Sequence, residues 1–484
     1  MQTGYKRPGG DITTLLDLTP RDVQDNAYTP LTTDSSWFAR DSTRRFTPFT
    51  PVLQDFPFRG PASFGQRFSF DIASQTCGDL LLGAMLQIQL SSWLDLTTIL
   101  RIQMKELVYV DPTVAWFYAN ALGLIIIQKV ELEIDGVTIE SVDGDFSTIF
   151  SLLFQDLNAQ FGIAEHTGVL SMQRLLEWPS HRVYPTESGY IHCMLPLFFG
   201  RTKLKEAFAL LACREGSVRI HVTLRPFSEV IRQARGFRDT CDATPLSTSL
   251  KFLDKTLPFI KEVNVDTPIE APQFQNVRLL VWSSIVDGNV RSAMLRQPFE
   301  TMYREVQTFY FSEPLRYVLS RSTTEHTVRI QLPLEANHPI EEILWFIRRK
   351  DVNINNEWTN YSAVLEKDYD PIYNPLTSML LTAKVQANGI DLVEAEEGYF
   401  RHLIAKHHKG GITAYNRFIY GYPIAKHPSL HQPSGTLNAS RLQTLRLTLD
   451  IQAPQNVEWE VKVYCIGLNW LRFQNGIANR MFED

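Results

Sequence analysis

The sequence predicts an all-β protein built as two successive many-stranded sandwiches, with long loops and few short helices. Three observations carry that expectation. Apolar residues alternate at period two in one segment after another, as they do when a strand has one buried face. Two-residue turns of Asp-Gly and Asn-Gly fall inside such alternation, the strongest short-range sign of a hairpin. The strand-rich pattern also breaks off at a polar stretch in the middle of the 484 residues and then starts again.

Taken in order, residues 1–60 lack sustained periodicity, are rich in Thr, Asp and Pro, and read as an extended arm. Within FGQRFSFDI (64–72), Phe64, Phe68, Phe70 and Ile72 fall on one face. The clearest hairpin is VELEIDGVTIES (130–141), where Val130, Leu132 and Ile134 alternate with glutamates and Asp135-Gly136 forms the turn. That dipeptide suits a type I′ turn, because both central residues need positive φ. The period changes over 145–178, where Phe150, Leu153 and Phe154 recur at helical spacing, so a helix and a long loop are expected there. Strands resume at 190–199 and 217–227, the latter alternating at Val218, Ile220, Val222 and Leu224. The run 238–256 reads as a linker.

The second half repeats the theme with strand-like segments at 276–286, 326–334, 342–350, 381–395, 441–451 and 457–473. Asn388-Gly389 marks another hairpin turn, and helical signal is expected only in stretches such as 291–306. Several strands at wide, irregular spacing point to sandwiches rather than to alternating βαβ units.

Composition narrows the function. Aromatic residues make up 11% of the chain, which fits large packed faces rather than disorder. A net charge of −6 weighs against an electrostatic nucleic-acid binder. Cys77, Cys193, Cys213, Cys241 and Cys465 are scattered, without a CxxC pair, and fit a protein made in a reducing compartment. The first twenty residues put Pro and Gly where a signal peptide needs an apolar run. Apolar runs such as 122–127 are far shorter than the ~20 residues of a membrane helix, so any membrane contact is expected to be peripheral or made through another protein.

Candidate chemistry is sparse. His402, His407, His408, His427 and His431 cluster in sequence, and His427 and His431 have i,i+4 spacing. That spacing delivers two ligands to one metal only on a helix. Pro428, Pro433 and Gly435 oppose a helix there, so a loop or interface role is expected and no metal or other cofactor. The acidic run 394–398 reads as a strand end or turn, and no nucleophile elbow, P-loop or dinucleotide fingerprint is present. Arg44 and Arg45 beside Trp37, Phe38, Phe46 and Phe49 could stack on single-stranded nucleic acid, but read more simply as an anchored arm. Asn360 and Asn438 begin glycosylation sequons by pattern.

One loop is more specific. HQPSGTLNASR (431–441) resembles the QPSG-x-x-N-x-S-R segment of major capsid proteins from nucleocytoplasmic large DNA viruses, phycodnaviruses and iridoviruses among them. The resemblance runs on in order through WFARDSTRRFTPF (37–49), GDLLLGAMLQIQL (78–90), LPLFFGR (195–201), LRQPFETMYREVQ (295–307), ANHPIEEILWFIRR (336–349) and NGIDLVEAEEGYF (388–400). Residues 1–30, 145–190 and 351–380 resemble nothing assignable.

The resemblance implies two tandem eight-stranded jelly rolls at 61–255 and 256–475, after an arm at 1–60 and before a tail at 476–484. It implies a non-enzymatic subunit: a homotrimer whose six jelly rolls form a pseudo-hexagonal capsomer of an icosahedral shell. Neighbouring capsomers, minor capsid and penton proteins and an internal viral membrane are the implied partners, with no direct contact to nucleic acid. The implied location is the virion capsid, after synthesis in the host cytoplasm. The 431–441 loop becomes a structural corner: Pro433 and Gly435 set the turn, Ser434, Asn438 and Ser440 offer side-chain hydrogen bonds, and Arg441 closes the motif. Within the architecture the rival reading is a poxvirus-type double-barrel scaffold protein; from different classes, the rivals are a carbohydrate-binding jelly-roll protein of the virion surface and a cupin-like enzyme.

Overall fold

The computed structural model describes residues 49–91, 115–119, 121–156, 189–201, 206–234, 256–257, 271–313, 327–365, 372–408, 418–428, 432–452 and 457–482, with a few isolated positions besides. In the first half the strands are β1 (Phe49–Pro57), β2 (Arg67–Ile72), β3 (Leu80–Gln89), β4 (Ala115–Tyr118), β5 (Ile127–Ile134), β6 (Val137–Asp143), β7 (Tyr190–Leu195), β8 (Val218–Leu224), β9 (Ile231–Ala234), β10 (Thr256–Leu257) and β11 (Asn276–Val286). The second half has β12 (Phe299–Glu313), β13 (Thr327–Pro333), β14 (Pro339–Arg349), β15 (Leu380–Ala387), β16 (Ile390–Glu396), β17 (Ile419–Pro423), β18 (Leu437–Asn438), β19 (Leu445–Gln452), β20 (Trp459–Gln474) and β21 (Ile477–Arg480). The longer helices are α1 (Gly144–Leu153), α2 (Gly288–Arg296) and α3 (Glu397–His407). Among the described residues no helix is long and apolar enough to cross a membrane.

Strands β4, β9 and β10 form a small sheet of their own, and most of the others form two sandwiches. The first faces a sheet of order β1-β11-β3-β7 against one of order β2-β8-β5-β6. The second faces β12-β20-β14-β17 against β13-β19-β15-β16. The two orders are the same once counterparts are matched: β1 with β12, β2 with β13, β3 with β14, β5 with β15, β6 with β16, β7 with β17, β8 with β19 and β11 with β20. Helices α1 and α3 are counterparts too, each following the hairpin and preceding the next sheet strand. Every ladder in both sandwiches is antiparallel. The chain is therefore a double jelly roll, as the sequence led one to expect.

Alternation makes the cores. In β2, Phe68, Phe70 and Ile72 are buried while Arg67, Ser69 and Asp71 are exposed. Each inward side chain contributes about 1.5–3 kcal/mol of burial. One apolar cluster fills the first sandwich and another the second. The long strands β12 and β20 serve both: Tyr303, Leu471 and Phe473 belong to the first core, whereas Val461, Val463 and Cys465 belong to the second. At about 3.4 Å per residue, a strand of this length spans roughly 50 Å, enough to bridge two cores.

The structure corrects several boundaries. Phe49–Pro57, placed in the arm by its Thr and Pro content, is a strand paired along its length with β11. Its prolines are tolerable because β1 is an edge strand. β11 itself, expected in the second jelly roll, pairs with β3 and fills the first core through Val277, Leu279 and Val281. The division between sandwiches therefore follows residue 286 rather than 255. The stretch 291–306 splits into α2 and the start of β12, where pairing with β20 overrides helical spacing. Helix α3 and strand β17 were not anticipated. The tail is a strand as well, since Gln474 pairs with Ile477 across an Asn475-Gly476 turn. Trp37, Phe38, Arg44, Arg45, Cys241 and His431 lie outside the described residues.

Candidate functional site

No catalytic constellation is evident among the described residues, and no group of three or more His, Cys, Asp or Glu is arranged to hold a metal ion. The polar architecture lies where the sandwiches meet and at the turns that close each sheet.

The join is built around α1. Asp143 ends β6 and caps the helix, its Oδ1 accepting from the Phe146 N–H at 2.9 Å. A side chain at Gly144 would collide with the Ile127 carbonyl, so only glycine lets the helix start this close to β5. Asp145 then points at the second sandwich. It accepts from Arg348 of β14 at 2.7 and 3.2 Å and pairs with Lys462 of β20. Arg348 also donates to Glu460 at 2.6 and 2.8 Å and to the Trp358 carbonyl at 3.3 Å. Lys462 and the Tyr464 hydroxyl both reach Asp143, at 2.8 and 3.0 Å. Burial alone would raise the Asp145 carboxyl. Arg348, Lys462 and Arg225 outweigh it and hold that carboxyl well below the usual carboxylate range. For Lys462 burial works the other way, and Asp145 and Asp143 override it to raise the ammonium.

A second cluster lies beside the first. Arg201 donates to the Arg304 carbonyl at 3.0 Å and pairs with Glu140, which also accepts from the Phe198 N–H at 2.8 Å. Arg304 pairs with Glu206 of the first sandwich and reaches Glu341 of the second at 2.5 Å. Burial pushes the Glu140 carboxyl up even with Arg201 against it. At a third contact Arg225 lies 3.7 Å from the centre of the Trp358 ring, and Trp358 Nε1 donates to the Glu229 carbonyl at 2.7 Å. Asn356 donates to the carbonyls of Ser228 and Ile231. Charges taken this far from water need partners, and Arg348, Asp145 and Lys462 each have at least two. The join therefore holds the two sandwiches as one body.

Sequence reasoning missed these clusters because each pairs residues far apart in the chain. The one local signal was Asp143-Gly144-Asp145, a cap followed by an acidic first turn.

The hairpin turns stand where the sequence put them. Asp135 and Gly136 have φ of 50° and 82°, and Asn388 and Gly389 have 50° and 80°, the positive pairs of a type I′ turn. The two turns are held alike. Asp135 Oδ1 accepts from Ser217 N at 2.7 Å, and Asn388 Oδ1 accepts from Gln443 N and Thr444 N at 2.8 and 3.1 Å. Each turn is thus pinned to the residues just before β8 or β19, further evidence of the internal repeat.

The C-terminal corner also forms. Ser434 Oγ accepts from the His427 N–H at 2.7 Å, Ser440 Oγ accepts from the His338 N–H at 2.8 Å, and Gly435 has φ of 138°. Asn438 contributes its backbone to the bridge with β14, while its side chain and that of Arg441 are exposed. Pro433, Gly435 and Ser440 line a cleft of about 540 Å³ with Met302, Trp470 and Phe482. His427 is exposed in this loop, whereas His408 is buried against Glu342 at 2.6 Å. The acidic run ends β16 and opens α3, with Glu396 at the cap position. Of the two sequons, Asn360 is buried and Asn438 exposed.

Comparison with known proteins agrees with this architecture. A family described as "Major capsid protein N-terminus" matches residues 36–281, and one described as "Large eukaryotic DNA virus major capsid protein" matches 291–479. The chain is 23% identical over 341 residues to the major capsid protein of Paramecium bursaria Chlorella virus 1, covering 67% of this chain and 66% of that protein. It is 36% identical over 110 residues to that of Phaeocystis pouchetii virus, covering 22% and 21%. The chain thus spans about two thirds or less of the curated relatives' length. Among solved structures, a chain of the PBCV-1 virus capsid aligns with TM-score 0.67 and 18% identity over 93% of this chain and 100% of that one. The Faustovirus major capsid protein aligns with TM-score 0.63 and 11% identity over 96% of each. At these identities the structural likeness supports the fold, and the family matches supply the rest: the chain belongs to the major capsid protein family of large eukaryotic DNA viruses.

Proposed function

We propose that this chain is the principal structural subunit of an icosahedral viral capsid and acts as a homotrimer. The observation that carries the reading is the internal repeat: two sandwiches of the same strand order, fixed to each other by buried ion clusters. A chain with two equivalent sandwiches lets a three-fold trimer present six similar sides, which a hexagonal lattice needs. Rigidity serves the same end, because a lattice contact transmits its geometry only through a protomer that does not hinge. Its partners are then neighbouring capsomers, with minor capsid and penton proteins and an underlying membrane on the inner side. It works in the virion shell after synthesis in the host cytoplasm, and interfaces rather than catalysis are its function. Sedimentation equilibrium of the purified full chain tests this directly. A mass of three chains at micromolar concentration is expected, and a stable monomer overturns the reading.

A further inference from the structure

The C-terminal corner carries more polar chemistry than a corner uses. Ser434 and Ser440 hold it through the His427 and His338 N–H groups, and Gly435 supplies the positive φ. Thr436 and Asn438 take no part in this. Both side chains are exposed, and neither makes a hydrogen bond among the described residues. Both line the cleft of about 540 Å³, a volume within the roughly 300–1,000 Å³ of ligand pockets.

The floor of the cleft comes from β12 and β20. Met302 and Trp470 are register partners there, and they alternate with Tyr303 and Leu471 of the first core, so they point away from it. Trp470 is 38% exposed, and its indole N–H has no partner among the described residues. Phe482, 48% exposed, adds a second aromatic ring, and Pro339 and Pro433 add apolar surface. The walls are fixed. Asn469 donates to the Phe482 carbonyl at 3.1 Å, the Met481 N–H donates to the Trp470 carbonyl at 2.9 Å, and Asn438 pairs through its backbone with Pro339.

No Asp, Glu, Lys or Arg lines the cleft, although 21% of the chain is charged. An occupant that matches it is therefore uncharged. His338 and Ser440 are already engaged, by Glu305 at 3.6 Å and by the His338 N–H. What the cleft offers is a set of donors, on Trp470, Asn438 and Thr436, around aromatic and proline surface. The complement is a ligand with apolar rings and surplus acceptors. A polyproline helix is such a ligand: it has no internal hydrogen bonds, and each proline brings a carbonyl but no N–H. Segments of this kind dock in aromatic-lined grooves, already extended before they bind.

We propose that this cleft binds an uncharged, proline-rich segment of a partner protein in the polyproline conformation. Trp470 is the stacking platform, and Asn438 donates to a carbonyl of the segment and sets its register. The 431–441 loop is then the wall of a binding site as well as a corner.

Fluorescence anisotropy of labelled decaproline with the full chain tests this, against a Gly-Ser peptide of equal length. Saturable binding of decaproline alone is expected. Trp470→Ala should weaken it at least tenfold and Asn438→Ala several-fold, with far-ultraviolet circular dichroism unchanged. Trp470→Phe keeps a ring but loses the N–H, and decides the matter if Trp470→Ala misfolds; its affinity should fall below wild type. A benzophenone-bearing decaproline is expected to cross-link within residues 433–440 or 470–482. No saturable binding by the wild type, equal binding of the Gly-Ser peptide, or wild-type affinity in the Trp470 variants overturns the proposal. Binding of maltoheptaose in place of decaproline overturns it in favour of a saccharide site. The assay does not depend on the oligomeric state, so its failure leaves the capsid reading standing.

Discussion

Replacing Arg348 with Ala is expected to be among the most damaging single changes in the protein, because it removes the cation that two buried carboxylates share. Arg348 holds Asp145 at 2.7 and 3.2 Å and Glu460 at 2.6 and 2.8 Å. Breaking a buried pair by deleting one partner typically costs about 3–5 kcal/mol. Lys462 still reaches Asp145 and the Tyr310 hydroxyl still donates to Glu460 at 2.9 Å, so the lower end, about 3 kcal/mol, applies. That is roughly a hundredfold in the unfolding equilibrium. Urea unfolding followed by tryptophan fluorescence measures it, and the loss of the join is expected to split a single transition in two. The triple change Arg348→Met, Asp145→Asn and Glu460→Gln removes all three charges together and is expected to cost less than the single one. A loss under about 1 kcal/mol in Arg348→Ala, or a triple variant worse than the single, would refute the reasoning.

Acid is expected to weaken the same join. The Asp145 carboxyl titrates lower in the fold than the ~3.9 of an unfolded chain, so its contribution is present above that value and is lost as pH falls below it; Asp145→Asn should flatten this part of a pH–stability curve, and an unchanged acid limb would count against it. Val in place of Gly136 or Gly389 forces a β-branched residue to positive φ and should cost on the order of 1–3 kcal/mol in melting experiments. Gly476→Val should be at least as costly, because its side chain would also meet Glu215. Ser440→Ala removes the hydrogen bond that this hydroxyl accepts from the His338 N–H and should cost about 0.5–1.5 kcal/mol, read as a lowered denaturation midpoint.

Local features of this fold were legible in the sequence and distant ones were not. Asp135-Gly136 and Asn388-Gly389 announced their hairpins because the turn chemistry sits in two adjacent residues. Asn475-Gly476 carries the same signal, at the turn between β20 and β21. In α3, Phe400, Leu403 and Ile404 are buried at helical spacing, a pattern present in the sequence but masked by the acidic strand end before it. The placement of β11 could not be read locally, since its alternation fits either sandwich and only pairing with β1 and β3 decides. The ion clusters were least visible. Asp145 and Arg348 are ordinary charged residues until the fold removes both from water.

In the proposed trimer, two sandwiches of like strand order per chain make six similar sides per capsomer. Electron microscopy of the purified full chain tests it most directly, through class averages viewed down the particle axis. The account predicts trimeric particles of pseudo-hexagonal outline with six lobes of similar size. Particles with one or two lobes, or a three-fold outline in which the sandwiches are unequally placed, would contradict it.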